Sequence, residues 1–194
     1  MSETFFRWDN ELLIWINNLA TDKTDSFWLG VTNTLVWFPL FLFIVILFFV
    51  YFDKNKAILA SMFFGGTGFL VLIIKEITKQ FFKRLRPCNV EELADSLRIL
   101  TCKDSFSFFS GHASFSFAII TFTVLVLRHK TKWIYLTWIF PLLFATSRMI
   151  TGVHFPSDII VGAIIGALVG ILMHSLLEKD WVKLPSFVEK KLKL

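Results

Sequence analysis

Long apolar stretches separated by short polar breaks dominate the chain. A helix crossing a bilayer needs roughly 20 consecutive apolar residues, with about 17–25 tolerated. That length predicts five spans. The first is Thr34–Phe52, "TLVWFPLFLFIVILFFVYF". The second runs from Ala57 to about Ile74 and continues as a helix into a basic stretch. The third covers about Ala113–Leu127 and the fourth Trp133 to about Ala145. Both are short, so their polar ends are expected to lie against protein rather than lipid. The fifth is Ile159–Leu177. Its Gly162, Gly166 and Gly170 form a double GxxxG, a spacing that lets another helix approach closely. Packing within the bundle is the preferred reading over a dimer interface.

Residues 1–30 do not span. Trp8, Leu12, Trp15, Ile16 and Leu19 share a helical face, with Asp9, Asn10 and Asn17 elsewhere. This pattern predicts an interfacial amphipathic helix. Residues 178–194 read as a basic surface tail carrying two aromatics. The expectation is therefore one all-α domain over 1–194: a polytopic helix bundle with an N-terminal interfacial helix and a basic cytoplasmic tail.

Composition agrees. The chain is 55% hydrophobic with 24 Phe, above the 45–50% apolar content usual for soluble domains. The opening "MSETFFRWDNELL" lacks the basic n-region and small-residue cleavage site of a secretory signal, so insertion is expected to use the internal apolar segments. The net charge of +5 bears on lipid headgroups and topology in such a chain. No basic stripe with interleaved aromatics suggests nucleic acid as a partner.

Helix parity gathers the candidate chemistry. Successive spans alternate direction, so the end of span two, the start of three, the end of four and the start of five share one membrane face. Lys79, Lys83, Arg84, Arg86, Ser110, His112, Ser147, Arg148, His154 and Asp158 meet there. Ionisable groups at such depth are functional candidates by default. If span two stays helical, Lys79, Lys83 and Arg86 form one stripe at i, i+4 and i+7, until Pro87 ends it. Such a stripe suits a multiply charged phosphate, although a collar snorkelling to headgroups would look alike. Ser110-Gly111-His112 opens span three, where free N–H groups favour an anion and Gly111 allows close backbone approach. An ordinary helix cap is the plainer account of those three residues. His154 and Asp158 lie four apart, so the carboxylate can hold one ring nitrogen and leave the other free as nucleophile or base. Arg148 adds a permanently charged planar donor. His129 and His174 lie towards the opposite face and are read as structural. The coincidence of all three clusters on one face argues against three separate structural accounts.

The combination resembles the type 2 phosphatidic acid phosphatase (PAP2) superfamily, which shares its site with vanadium haloperoxidases. The family pattern is K-x6-RP, then PSGH, then SR-x5-H-x3-D. Here it reads Lys79–Arg86-Pro87, Phe109-Ser110-Gly111-His112, and Ser147-Arg148 with His154 and Asp158. The motifs span about 80 residues, and the surrounding spans extend the likeness over most of the chain. Phe109 departs from the family's proline, which bears on loop shape rather than on chemistry.

The resemblance implies that Lys79, Arg86, Arg148, Ser110 and the backbone near Gly111 bind phosphate. It implies that His154 forms a phosphohistidine, that Asp158 orients it, and that His112 protonates the leaving oxygen and then activates water. No metal or other cofactor is implied, since the cations neutralise the charge. Lys83 and Arg84 fall in the variable stretch, where they tune substrate binding or contact headgroups. The implied partner is a membrane lipid phosphate or diphosphate, with undecaprenyl diphosphate and phosphatidylglycerophosphate ahead of phosphatidic acid and lipid A 1-phosphate. The alternative is a membrane anion-binding or transport protein without hydrolytic activity. A soluble haloperoxidase would not need the five spans.

Lys and Arg divide evenly, ten on each face, three of the active-face ones being site residues. The two cysteines, Cys88 and Cys102, flank the loop "NVEELADSLRILT" on the active face. An oxidising compartment would let them pair. Both point to an active site on the periplasmic or exterior side of the inner membrane.

Overall fold

The computed structural model describes residues 2–93 and 95–183. Its helices are α1 (Ser2–Asn17), α2 (Asp25–Val31), α3 (Phe38–Tyr51), α4 (Lys54–Phe82), α5 (Gly111–Leu127), α6 (Ile139–Ile150) and α7 (Pro156–Lys183). Short 3-10 turns lead into α3 (Thr34–Trp37) and α6 (Lys132–Trp138). The chain is a polytopic membrane helix bundle. The segments 34–51, 54–93, 132–150 and 156–181 are long and apolar enough to cross a bilayer, and α5 is a shorter apolar helix.

α5 can be short because it is central. At 17 residues it measures about 26 Å at 1.5 Å per residue, less than the roughly 30 Å hydrocarbon core. Protein rather than lipid surrounds it: Ala113, Ser114, Ser116 and all of Ala118–Val124 are buried. Its hydroxyls turn back to its own backbone, as when Ser116 Oγ donates to His112 O and Thr123 Oγ1 to Ile119 O. α3 is the opposite case. It is apolar all round and buries only Ile44 and Phe48, as a helix facing lipid does. The Phe-rich composition fills the layer between these helices with edge-to-face rings, including Phe48 with Phe64 and Phe122.

The double GxxxG of α7 faces α5. A Cβ on Gly162 would lie 2.7 Å from Ser110 O, one on Gly170 2.6 Å from Ala118 O, and one on Gly166 would fall on Ser114 O. This contact sets the start of α7 beside the start of α5, which brings the two ends carrying site residues together. Cys88 and Cys102 form a disulfide across the α4–α5 connection.

Three readings of the sequence change. The stripe of Lys79, Lys83 and Arg86 does not form. α4 ends at Phe82, and Lys83 takes a left-handed conformation (φ 48°). Arg84–Arg86 then leave the helix axis, with Lys83 exposed, Arg84 turned inward and Arg86 buried. The helix stops at the turn before the proline because the residue preceding proline disfavours the helical region.

The second change concerns α1. Its buried face is Asp9, Leu13 and Asn17, at i, i+4 and i+8, all fully buried. Trp8, Trp15 and Leu19 face outward. Polar residues read as the solvent side therefore anchor the helix to the protein beside Leu13, Ile14 and Ile16, while Trp8 and Trp15 are left for the bilayer. Asn17 Nδ2 donates to the carbonyls of Arg98, Met149 and Ile150, and its Oδ1 accepts from Arg98 N. These bonds satisfy the C-terminal end of α6, where carbonyls lack helical partners. Third, α7 runs on to Lys183, so the first residues of the expected tail are helical. The remainder of the tail lies outside the described residues.

Candidate active site

Every residue that the sequence nominates as catalytic or phosphate-binding arrives at one end of the bundle. A cavity of about 160 Å³ is lined by Lys79, Arg86, Gly111, His112, Arg148 and His154, together with Lys75, Glu76, Lys103 and Ser105. Ser110 and Asp158 sit behind this lining, fully buried.

Local structure explains each placement. Lys79 projects from the last turn of α4, and its Nζ donates to Phe106 O at 2.6 Å. The extended segment after Lys83 delivers Arg86. Arg86 Nε donates to Ser105 O at 2.7 Å, and its Nη2 to Ser105 Oγ at 2.9 Å. Ser110 caps α5, accepting from Ala113 N. Its own N–H donates to Asp158 O at 3.1 Å, which ties the two helix starts together. The peptide between Phe108 and Phe109 is cis. His112 stands in the first turn of α5, its ring 4.6 Å from that of Phe144, centroid to centroid. Arg148, in the last turn of α6, donates through Nη1 to Thr32 Oγ1. Its buried Nε has no hydrogen-bond partner among the described residues.

α6 ends at Ile150, and Gly152 takes φ +75°, a left-handed turn favoured by glycine. The chain then doubles back, so that Val153 N and His154 N both donate to Arg148 O. Arg148 thus holds the loop that presents His154. Asp158, in the first turn of α7, accepts from Phe155 N at 3.0 Å. The carboxylate reaching back to the residue before the helix is half of a capping box. The same oxygen lies 3.3 Å from His154 Nδ1.

These contacts assign the tautomer. Arg86 Nη1 lies 3.2 Å from His154 Nε2. A guanidinium only donates, so Nε2 accepts and Nδ1 carries the proton towards Asp158. The single lone pair of Nε2 is thereby engaged by Arg86, on the wall of the cavity that both residues line. Burial pushes the His154 pKa well below the ordinary imidazole value, and Arg148, Arg86, Lys79 and Arg84 push it further. A neutral imidazole with a free lone pair is a nucleophile, whereas an imidazolium is not. Lys79, Arg86 and Arg148 on the cavity wall favour the neutral ring and make a site suited to an anion. Among the described residues, no group of three His, Cys, Asp or Glu side chains gathers as metal ligands would.

The PAP2 superfamily pattern matches residues 59–181. The chain belongs to the PAP2 superfamily. It is a membrane lipid phosphatase, a phosphoric ester hydrolase, which sets aside the non-hydrolytic alternative. Among curated relatives, the lipid A 4'-phosphatase of Bacteroides thetaiotaomicron is 27% identical over 183 residues, covering 92% of this chain and 80% of that protein. The lipid A 4'-phosphatase of Porphyromonas gingivalis is 27% identical over 161 residues, covering 79% and 66%. The fold is similar to that of a transmembrane PAP2-type phosphatidylglycerolphosphate phosphatase from Bacillus subtilis. The TM-score is 0.69 at 20% identity, over 95% of this chain and 89% of that one. It is also similar to Aquifex aeolicus LpxE, with a TM-score of 0.61 at 29% identity, over 84% and 92%.

Sequence reasoning missed two groups in this PAP2 site. Lys75 and Lys103 line the cavity outside the motifs. Lys75 sits one helical turn before Lys79, a spacing that could have flagged it. Lys103 is held beside the disulfide, and no local signal marks it. The second group is Asp9 and Ser157, which hold Arg84, a residue the sequence did place on this face.

Two further cavities adjoin His112. A groove of about 230 Å³ is lined by Leu72, Phe115 and Phe144, with Thr34, Lys75, Gly111 and His112. A cavity of about 300 Å³ carries Thr32, Asn33, Thr34, Thr101, Lys103 and Arg148, with Leu29 and His112. One is chiefly apolar and the other chiefly hydroxyl, amide and cation.

Proposed function

We propose that the protein hydrolyses a lipid-borne phosphate monoester through a phosphohistidine on His154. The observation that carries this reading is the neutral His154 Nε2 placed against Arg86 within the cluster of Lys79 and Arg148. Arg86 turns from Nε2 to the phosphate oxygens, and the freed lone pair attacks phosphorus while Lys79, Arg86, Arg148 and the N–H groups opening α5 hold those oxygens. The phosphorus–oxygen bond to the leaving alcohol breaks, and His112, protonated once the phosphate anion is bound beside it, gives that proton to the leaving oxygen. Asp158 stabilises the charge that develops on the imidazole. His112 then takes a proton from water, which attacks phosphorus. The phosphorus–nitrogen bond breaks, releasing inorganic phosphate and restoring neutral His154.

The leaving group departs on the side of His112, where the apolar groove and the polar cavity meet. A lipid whose phosphate sits on a sugar suits both: acyl chains along Leu72, Phe115 and Phe144, sugar hydroxyls among Thr32, Asn33 and Thr101. The lipid A 4'-phosphatase relatives support the same class. We therefore place a lipid A-type phosphorylated sugar lipid ahead of undecaprenyl diphosphate and phosphatidylglycerophosphate. The substrate enters sideways from the bilayer, with α1 on the same face at headgroup depth. Tail binding then contributes to kcat/KM.

The test is turnover of purified protein in detergent with EDTA present and vanadate as inhibitor. The panel is a phosphorylated sugar lipid, undecaprenyl diphosphate, phosphatidylglycerophosphate and a soluble monoester. A preference for the sugar lipid supports the reading. Equal kcat/KM for the soluble ester would remove lateral access. We assign the site to the periplasmic or exterior side of the inner membrane, with the C-terminus in the cytoplasm. Cys88 and Cys102 should label in intact cells only after reduction, and a C-terminal reporter active only outside would reverse this orientation.

A further inference from the structure

Arg84 lies outside the phosphate cavity yet makes three side-chain hydrogen bonds beside it. The left-handed turn at Lys83 reverses the chain at the end of α4 and sends the Arg84 side chain inward. Its Nη1 donates to Asp158 Oδ1 at 2.8 Å and to Ser157 Oγ at 2.7 Å. Its Nη2 donates to Asp9 Oδ2 at 2.7 Å. The guanidinium carbon stands 3.9 Å from the centre of the Phe155 ring, which closes one face of it. Both carboxylates are fully buried. Asp9 also receives Ser157 N at 2.8 Å through its other oxygen.

This arrangement divides the oxygens of Asp158. Oδ2 serves Phe155 N and His154 Nδ1, and Oδ1 serves Arg84. A carboxylate fixed at both oxygens cannot rotate, so the lone pair offered to His154 keeps one direction. An arginine bound to Asp158 alone would also draw negative charge away from the histidine. Asp9, on the far side of the same guanidinium, offsets that withdrawal. We propose that Arg84 and Asp9 are positioning residues for the His154–Asp158 pair, which makes α1 a component of the catalytic apparatus as well as a membrane-facing helix. This rests on the reading of His154 as nucleophile.

The test compares Arg84→Gln, Arg84→Lys, Asp9→Asn and His154→Ala, purified in detergent and checked for folding by gel filtration. Arg84→Gln should lower kcat roughly 10–100-fold, the range found when partners orienting a functional histidine are removed, with KM little changed. Arg84→Lys keeps the charge and one carboxylate contact, and should recover part of the loss. It carries the test if Arg84→Gln does not fold.

The pH profile separates positioning from general support. The charged and titratable groups facing His154 are Lys79 of α4, Arg84 and Arg86 of the segment after it, His112 of α5, Arg148 of α6 and Asp158 of α7. Removing the Arg84 cation should let His154 protonate more readily and move the acid limb of kcat/KM to higher pH. Removing the Asp9 charge should move it lower. A merely structural role would shift neither limb in opposite senses. An unchanged kcat and unmoved limbs in folded Arg84 and Asp9 variants, with His154→Ala inactive beside them, would overturn the positioning roles and leave the nucleophile in place. Activity in His154→Ala would instead remove the nucleophile, and this proposal with it.

Discussion

Two histidines each face a carboxylate of α7 four residues on: His154, in the loop just before the helix, and His174, towards its far end. His154 Nδ1 lies 3.3 Å from Asp158, with side-chain exposures of 2% and 0%. His174 Nε2 lies 3.6 Å from Glu178, with exposures of 11% and 62%. The spacing is identical and the surroundings differ. Around His154, three other elements bring Lys79, Arg86 and Arg148, and Arg84 grips the carboxylate from behind. Near His174 the contributors are Glu178 and the more distant Arg128 and His129, and Arg128 and His129 are exposed. A histidine four residues before a helical carboxylate supplies an oriented imidazole. Only convergence of separate helix ends supplies the buried positive field that keeps it neutral and attracts a dianion.

The largest effect expected from this contrast is loss of turnover in His154→Ala, with retained insertion and folding. Activity above about a hundredth of wild type, near the lower end of what general acid–base help contributes, would break the distinction between the two ends. It is measured as kcat/KM on a lipid phosphate. Next comes His112→Ala, which should slow turnover by about 10²–10⁴-fold. The deficit should shrink for an ester whose leaving group needs no proton, so a ratio of rates on the two esters checks the role.

Arg148→Gln should weaken phosphate binding and, by removing a cation that holds the His154 pKa down, move the acid limb of the pH profile to higher pH. On the proposed mechanism, Arg148 should keep His154 neutral at pH values where an exposed histidine is already charged. A limb that stays put would mean that the cationic field does not set the state of His154.

Reducing Cys88–Cys102 tests the frame rather than the chemistry. Its sequence separation is 14, and a loop of about 15 residues corresponds to roughly 3 kcal/mol in the chain-entropy model. The expected outcome is a lower Tm, with activity retained well below that Tm. At the bottom of the scale, His174→Ala should leave kcat/KM close to wild type, since His174 lies towards the opposite end of α7 from the cavity. A large loss there would show that the second pair matters to function and would erase the comparison.

The apolar run lengths determined the membrane bundle, and helix parity determined which polar clusters would share a face. Those are one-dimensional properties. Bilayer thickness fixes span length, and direction alternates along a continuous chain. The motif spacings likewise marked His112, His154, Asp158, Lys79, Arg86 and Arg148, although of these only the side chains of His154 and Asp158 are neighbours in sequence as well as in space.

Tertiary structure decided the rest. Helical periodicity placed Arg86 on a stripe with Lys79 and Lys83, but α4 ends at Phe82 and the following segment delivers Arg86 from another direction. Asp9 and Asn17 looked like the wet side of an amphipathic helix, because periodicity defines two faces without saying which one meets protein. Beside lipid the usual rule inverts: the apolar face is solvated by the bilayer, and the polar face must find its partners inside. Asp9 found Arg84 and Ser157 more than 70 residues away, a meeting that no local pattern encodes.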